Sequence, residues 1–133
     1  MIELGDEKVL YAFDKELEPA LVVPSGTTVR VRTKDCFGNQ VQRPEDELDE
    51  IDWDHINPAT GPIFVEGAVP GGALKVTIEA IEFDGQTASC TGEGEGVCGD
   101  RFDAWSTHLC KIDGDELVWD EELRIPLRPM IGV

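Results

Sequence analysis

The sequence predicts an all-β fold of the β-sandwich or jelly-roll type, built as a single domain over residues 1–133. Short runs alternate between apolar and polar residues, and a period of two is typical of strands with one buried face. The 14 glycines and 8 prolines interrupt these runs at short intervals. Many short strands joined by turns, with no long helix, are therefore expected.

Strands are predicted where the alternation is cleanest, at about residues 28–33 and 73–83. After Ala80 the phase slips, which indicates a β-bulge or a strand that changes sheets. Nearer the C-terminus, Asp113-Gly114-Asp115 indicates a hairpin turn. The alternating residues are, in chain order, Val9, Tyr11 and Phe13; Val29 and Val31; Leu74, Val76 and Ile78; His108, Cys110 and Ile112; and Leu123, Ile125 and Leu127.

A long loop excursion at about residues 34–61 is the least regular part of the chain. Pro44 suits the first position of a helix, and the acids that follow favour a helix N-terminus. A short helix is therefore predicted there, with Leu48 and Ile51 on its inner face. Unstructured connections of this length in a compact domain are usually functional or disordered.

The net charge of −17 limits the classes of partner. Nucleic acid and anionic membrane surfaces both attract Lys and Arg, and no basic cluster offsets the acids here. The interpretation that assigns no specific function to this charge is a heavily solvated surface. No apolar run approaches the ~18 residues of a membrane span, and the acidic N-terminus does not resemble a signal peptide. A cytoplasmic protein is the expectation.

Two metal sites can be drawn on the sequence, and neither has a convincing pattern. Asp49, Asp52 and Asp54 lack the glycine turn and the final glutamate of a calcium-binding EF-hand loop. The set Cys90, Cys98, His108 and Cys110 lacks the close cysteine pair with which zinc knuckles usually begin. In a reducing cytosol the four cysteines, which also include Cys36, are expected to be free thiols.

Two polar turns at the ends of the excursion are the candidates for chemistry. Asp35 follows a strand directly, a common place for an active-site carboxylate, and Gln40 supplies an amide nearby; the alternative is that Asp35 only caps a turn. At the other end, the sequence NPATGP holds Asn57, Thr60 and Gly61 in a rigid turn that can present polar groups to a small ligand, or merely connect two strands. We expect the two turns to converge in space.

The order of these motifs resembles the N-terminal half of the acetamidase/formamidase family. The sequence has Thr33-x-Asp35 before a Phe37-Gly38-x-Gln40 turn, then NPATGP, then Glu66-Gly67-Ala68 with a Pro-Gly turn before a long strand, and finally PMIGV. NPATGP and the Pro-Gly turn are the most specific parts. The chain departs from the family pattern at Asn39, where glycine is expected, and in the cysteine-bearing loop 90–98.

The resemblance implies hydrolysis of short aliphatic amides, formamide or acetamide, to the carboxylic acid and ammonia. It implies CUB-like or jelly-roll sandwich domains that form oligomers, with His- and Asp-bearing motifs in the second half of the family's sequence. This chain would then supply only part of an active site and be inactive alone. Its own contribution would be Asp35 as the catalytic residue, and Gln40, Asn57, Thr60 and Gly61 as substrate-binding residues.

The cofactor and the partner are left open by the resemblance. A divalent metal, zinc or calcium, completed by the missing half is one alternative, with Asp35 as the ligand on this chain. The partner is expected to be a second copy or a companion C-terminal chain, contacted by an apolar run that ends in Met130, Ile131 and Val133. The rival class of function is a non-catalytic acidic β-sandwich that binds a small ligand or a protein partner.

Overall fold

The computed structural model describes residues 1–83 and 85–132, and it confirms the all-β, sandwich-like fold class. Within these residues there is no α-helix, and the only helical segments are single 3₁₀ turns at Trp53–His55 and Gly99–Arg101. The strands are β1 (Ile2–Leu4), β2 (Val9–Leu10), β3 (Leu21–Pro24), β4 (Val29–Val31), β5 (Ala59–Thr60), β6 (Ile63–Glu66), β7 (Gln86–Thr91), β8 (Ser106–Asp113), β9 (Glu116–Val118) and β10 (Arg124–Pro126).

The first compact unit comprises residues 1–39 and 53–78. It holds three two-stranded sheets, of which β1–β4 and β3–β6 are parallel and β2–β5 is antiparallel. Leu4 and Val23 are its buried apolar residues among those described. Since neighbouring positions of a strand face opposite sides, Val22 is left exposed beside Val23.

The second compact unit comprises residues 40–52, 79–83 and 85–132. Its four-stranded antiparallel sheet has the order β10-β9-β8-β7. Asp113 pairs with Glu116, so Gly114 and Asp115 form the two-residue hairpin loop that the sequence predicts. Gly114 has a φ of 63°, a conformation that suits glycine in such a turn. Val41, Leu48 and Cys110 are the buried apolar residues of the described part of this unit.

The two predicted strands have different outcomes. The strand at 28–33 is confirmed in its centre as β4, whose register places Val29 opposite Ile2 and Val31 opposite Leu4. The strand at 73–83 is wrong, because no part of this segment belongs to a strand in the structure. The alternation is present, but a strand also needs hydrogen bonds to a neighbouring strand. None of the described strands pairs with this segment.

The helix predicted from Pro44 is also wrong, and two successive turns, at residues 43–46 and 47–50, replace it. The N–H of Asp46 donates to the carbonyl of Arg43 at 3.1 Å. The carboxylate of Asp46 also accepts the N–H groups of Gln42 and Arg43, at 2.8 and 2.9 Å. A side chain that captures neighbouring N–H groups offers the backbone an alternative to a helix. Leu48 is nevertheless buried, as predicted, and Ile51 is half-buried.

Only part of the apolar C-terminal run is held in a sheet. Its residues 124–126 form β10 at the edge of the sheet, while Leu123, Met130 and Ile131 remain exposed. The last predicted contact residue, Val133, lies outside the described residues. An intermolecular contact through this run stays a prediction, as does the single domain. None of the described helices has the length and apolar character needed to cross a membrane.

Candidate active site

Asp35 lies shortly after the end of β4 and forms a closed turn with Asn39. Oδ1 of Asp35 accepts the N–H of Phe37 at 3.0 Å and the N–H of Asn39 at 2.7 Å. In return, the N–H of Asp35 donates to Oδ1 of Asn39 at 3.0 Å. Gly38 and Asn39 have φ angles of 67° and 63°, a region in which these two residue types are well tolerated. Oδ1 of Asp35 therefore shapes the turn, and Oδ2 takes no part in it.

Asn39, the position where the sequence departs from the family pattern, has a clear structural role. Glycine would adopt the same positive φ, but it has no side-chain oxygen to accept the N–H of Asp35. Asparagine therefore adds one hydrogen bond to the turn that carries the candidate carboxylate. The departure fits the site and strengthens the local structure around Asp35.

The turn that begins at Asn57 lies against the Asp35 turn, as predicted. The N–H of Asn57 donates to the carbonyl of Cys36 at 2.7 Å. Further along, Oγ1 of Thr60 donates to the carbonyl of Arg32 at 2.8 Å. These two bonds join segments more than 20 residues apart in the chain, so the two ends of the excursion converge through backbone groups. Asp35 and Asn57 are both exposed.

The conformation of the NPATGP turn depends on two unusual backbone positions. Asn57 has a φ of 52°, and Gly61 has a φ of 140°, which strongly favours glycine. The Gly61–Pro62 peptide bond is cis. The N–H of Gly61 donates to the carbonyl of Lys8 at 3.2 Å, and the carbonyl of Pro62 accepts the N–H of Ala20 at 2.8 Å. The N-terminal segment therefore holds this turn in place.

An open groove of about 390 Å³ lies beside Thr60 in the first unit. Most of its lining is apolar, with one acid and one lysine at the N-terminal segment. A groove with an apolar lining and a few polar groups is the usual form of a small-ligand site. The lining residues are Leu10, Phe13, Asp14, Lys15, Leu17, Ala59, Thr60 and Pro62.

Sequence reasoning missed most of this groove. Phe13 was expected to continue a strand with Val9 and Tyr11, but β2 ends at Leu10. Phe13 is 77% exposed, and it lines the groove together with Leu17. The available signal was two large apolar residues in a segment otherwise rich in charge. Tyr11 packs edge-on against His55, with ring centroids 4.8 Å apart.

Gln40 does not belong to the same compact unit as the other candidates, and its amide group is engaged locally. Its Oε1 accepts the N–H of Asp52 at 2.8 Å, and its Nε2 donates to the carbonyl of Asp52 at 3.2 Å. This pair of bonds closes the segment between residues 40 and 52. The structure therefore gives Gln40 a scaffolding contact, and its assignment to substrate binding stays a prediction.

Asp46 makes an ion pair and several hydrogen bonds within the segment between residues 40 and 52. Besides its two backbone N–H partners, its Oδ1 accepts Nη2 of Arg43 at 2.7 Å and Nε at 3.1 Å. The backbone N–H of Gln42, followed by the Arg43 guanidinium, lowers the pKa of Asp46. The carbonyl of Asp46 accepts Oγ1 of Thr107 at 2.9 Å, which ties the segment to β8. The ionised carboxylate thus stabilises the second unit.

We expect Asp46→Asn to lower the melting temperature at pH 7, and the difference from the original chain to shrink on acidification. A carboxyl whose folded pKa is lowered stabilises the fold above its unfolded pKa, about 3.9. That stabilisation is lost as the pH falls through the folded pKa. Thermal unfolding followed by circular dichroism between pH 7 and about pH 3 measures the difference. Asp49→Asn, at an exposed acid nearby, is the control for loss of one charge; a difference that stays constant with pH would contradict the assignment.

His108, the other histidine, has a structural setting in the second unit. Its ring stacks on Trp119 with centroids 4.4 Å apart. Its Nε2 lies 2.8 Å from the carbonyl oxygen of Trp119, and since a carbonyl only accepts, Nε2 must donate. Asp120 follows Trp119 in the chain, and its carboxylate accepts hydrogen bonds from the N–H groups of Glu122 and Leu123. These bonds lower the pKa of Asp120. This histidine therefore anchors the chain after β9.

None of the four cysteines forms a disulfide bond, as expected. Burial raises the pKa of the Cys110 thiol, so it is neutral and inert in its core position. Cys90 lies on β7 opposite Thr107, with Sγ 3.8 Å from Oγ1. Over residues 1–83 and 85–132, no group of three or more His, Cys, Asp or Glu side chains is placed to hold a metal ion. A metal at Asp35 would need ligands from elsewhere.

Several solved structures of longer proteins are similar to this chain. One, described as a recombinant predicted acetamidase/formamidase from the thermophile Thermoanaerobacter tengcongensis, is 45% identical with a TM-score of 0.91; the match covers 99% of this chain and 44% of that one. An acetamidase from Bacillus halodurans is 38% identical with a TM-score of 0.84, covering 99% and 45%. An acetamidase from Yersinia enterocolitica, 17% identical with a TM-score of 0.65, shares the fold.

The chain therefore spans less than half the length of these relatives. The search of curated proteins gives no match. The profile of the Acetamidase/Formamidase family matches residues 4–112, which include both candidate turns. Since the profile covers most of the chain and two solved relatives are 38% and 45% identical over nearly all of it, the chain belongs to the acetamidase/formamidase family.

Proposed function

We propose that this chain supplies part of the active site of an enzyme that hydrolyses short aliphatic amides, such as formamide and acetamide. The products are the carboxylic acid and ammonia. The observation that supports this most is the junction of the two motifs, made by the bond from Asn57 N–H to the Cys36 carbonyl at 2.7 Å. It holds a carboxylate turn and a polar turn together in a family named for amide hydrolysis.

Amide hydrolysis needs an activated water, stabilisation of the oxyanion and a proton for the leaving nitrogen. Asp35 is the group on this chain that fits the first task. Its Oδ1 accepts two N–H groups of the turn, which fixes the orientation of the carboxylate. In our proposal Oδ2 takes a proton from water as the water attacks the amide carbon, and the proton later leaves with ammonia.

Asn57 and Thr60 provide polar groups for the substrate. Asn57 is exposed, and its side chain offers both a donor and an acceptor to an amide. Thr60 donates its own proton to Arg32, so its hydroxyl oxygen remains an acceptor for the NH₂ group of a substrate in the adjoining groove. Gly61 sets the backbone path of this turn through its positive φ.

A divalent metal is an alternative way of activating the water, and the residues fit it only in part. Carboxylate oxygen is a suitable ligand for zinc or calcium, and Oδ2 of Asp35 would be the one donor from this turn. When bound, such an ion would lower the pKa of water and polarise the amide carbonyl. The remaining ligands would come from the polypeptide that completes the site.

The completing polypeptide is the second part of the proposal. The relatives are more than twice as long as this chain, and the donors needed for a full hydrolytic site exceed those found together here. In our proposal the further groups come from the residues that correspond to the second half of the relatives, on the same polypeptide or on a companion C-terminal chain, or from a second copy in a homo-oligomer. The purified 133-residue chain is accordingly inactive on its own.

Ammonia release tests the proposal directly. The chain is assayed with formamide and acetamide alone, and after co-expression with the part of the Thermoanaerobacter relative that lies outside the matched region. We expect no ammonia from the chain alone and ammonia from the complex. Ammonia from the chain alone would contradict the incomplete site. A stable complex that releases no ammonia from either amide would contradict amide hydrolysis and favour a ligand-binding module.

A further inference from the structure

Residues 11–20 connect β2 to β3 and form one wall of the groove in the first unit. We call this segment the strap. At its far end, Nζ of Lys8 donates to the carbonyl of Glu18, and the N–H of Ala20 donates to the carbonyl of Pro62 at 2.8 Å. These two bonds attach the strap to the strand before it and to the NPATGP turn, so the wall of the groove has a defined position.

Two large apolar side chains of the strap line the groove. Phe13 is 77% exposed and Leu17 is 38% exposed, although the other four residues from 13 to 18 are all charged. The two side chains share the groove with Leu10, Ala59 and Pro62. An exposed apolar surface that is continuous, rather than scattered over single residues, is typical of a binding site.

The charged residues of the strap interact with one another. Oδ1 of Asp14 accepts the N–H of Glu16 at 2.9 Å, and Nζ of Lys15 lies 3.5 Å from Oε1 of Glu16. Both charged residues that line the groove therefore have partners within the strap. In addition, the net charge of −17 opposes the approach of an anion. The groove is consequently suited to an uncharged ligand.

Thr60 connects the groove to the candidate turns. Among the described residues that line the groove, it is the uncharged polar one. Its hydroxyl donates to the carbonyl of Arg32 at 2.8 Å, just before Asp35 in the chain. The hydroxyl oxygen keeps its capacity to accept a hydrogen bond. A primary amide can therefore donate its NH₂ group to Thr60 while its acyl chain lies along the apolar wall.

The volume of the groove, about 390 Å³, is larger than formamide or acetamide would fill. Since a water molecule occupies about 30 Å³ in the liquid, such a volume has room for roughly ten of them. Formamide has no alkyl group, and acetamide has one methyl group. Either would leave most of the apolar wall in water, without the free energy that burial of apolar surface provides. Sites of roughly 300–1,000 Å³ are typical of larger organic ligands.

We propose that the groove binds the acyl chain of an uncharged, medium-length aliphatic primary amide, with Phe13 and Leu17 as the residues that determine specificity. The inference rests on the proposed function for the reaction, and it selects amides such as hexanamide over formamide and acetamide. Each methylene group buried against the wall should strengthen binding by up to about fourfold. Hydrolysis turns the neutral ligand into a carboxylate, and the acidic chain repels this product, which favours its release.

Binding to the 133-residue chain tests this site without any need for catalysis. The isotope-labelled chain is titrated near neutral pH with hexanamide, acetamide and hexanoate, and its amide signals are followed by NMR. We expect hexanamide to bind at least about tenfold more tightly than the other two compounds. It should shift the signals of Phe13, Leu17 and Thr60.

Phe13→Ala should weaken the binding of hexanamide by at least about tenfold, because it removes the largest apolar side chain of the wall. Phe102→Ala is the matched control, since Phe102 is an exposed phenylalanine of the second unit. Circular dichroism checks that both variants fold. In the assembled enzyme, the ratio of kcat/KM for hexanamide to that for acetamide should fall at least about tenfold in Phe13→Ala, through a higher KM for hexanamide. Phe102→Ala should leave this ratio unchanged.

The outcomes separate this inference from the proposed function. Hexanamide binding at the strap without ammonia release from any amide supports the acyl site and contradicts amide hydrolysis. Ammonia release without hexanamide binding at the strap contradicts the acyl site alone. The acyl site is also overturned if hexanoate binds as tightly as hexanamide, or if the two phenylalanine variants bind hexanamide equally well. It is overturned as well if the chain self-associates and Phe13→Ala makes it monomeric, because the groove would then hold a second copy.

Discussion

Asp35→Asn is expected to reduce ammonia release by the assembled enzyme by roughly 10²–10⁴-fold, the usual contribution of a positioned acid or base. The substitution removes the charge but keeps a side-chain oxygen at the position of Oδ1. That oxygen can still accept the N–H groups of Phe37 and Asn39. The turn, and with it the contact between Cys36 and Asn57, should therefore survive while the base is lost.

Asp35→Ala is the companion variant, because it removes both the charge and the turn. Loss of the two N–H bonds should lower the free energy of unfolding by about 1 kcal/mol. Steady-state ammonia assays and thermal unfolding of the three proteins give the comparison. If Asp35→Asn retains full activity and only Asp35→Ala is impaired, Asp35 caps a turn and is not catalytic.

Leu48→Ala is expected to lower the free energy of unfolding by about 2–5 kcal/mol, the range for truncating a buried leucine. Leu48 is 5% exposed, and it is one of only five buried apolar residues over the described part of the chain. A domain of this size has roughly 5–15 kcal/mol of stability in total. The change should therefore lower the melting temperature by roughly 10 °C.

The chain offers a matched control for this prediction in Leu74→Ala. Leu74 is 59% exposed, so the same truncation removes few contacts and should change the melting temperature little. Differential scanning calorimetry or circular dichroism on both variants gives the result. Equal losses for the two leucines would show that Leu48 does not form part of a core, and that the acidic segment around it is a surface loop.

Local pattern determined the strand at Val29–Val31 and the hairpin at Gly114. In both, alternation or a turn residue acts over a few positions, and the structure follows it. The burial of Leu48 was also predictable from its place beside Pro44 and the acids, although the expected helix was not formed. There the Asp46 carboxylate binds the N–H groups of Gln42 and Arg43, a competition that periodicity does not reveal.

The sequence by itself determined the all-β class, the family and the two polar turns, because period-two alternation and the NPATGP motif are properties of neighbouring residues. Only the tertiary structure decided that Cys36 meets Asn57, that Gln40 binds Asp52, and that residues 73–78 have no neighbouring strand among the described residues. Pairing and contact join residues distant in the chain. The alternation of a segment indicates which of its faces is apolar. The strand or surface that covers this face must come from elsewhere in the fold or from another polypeptide.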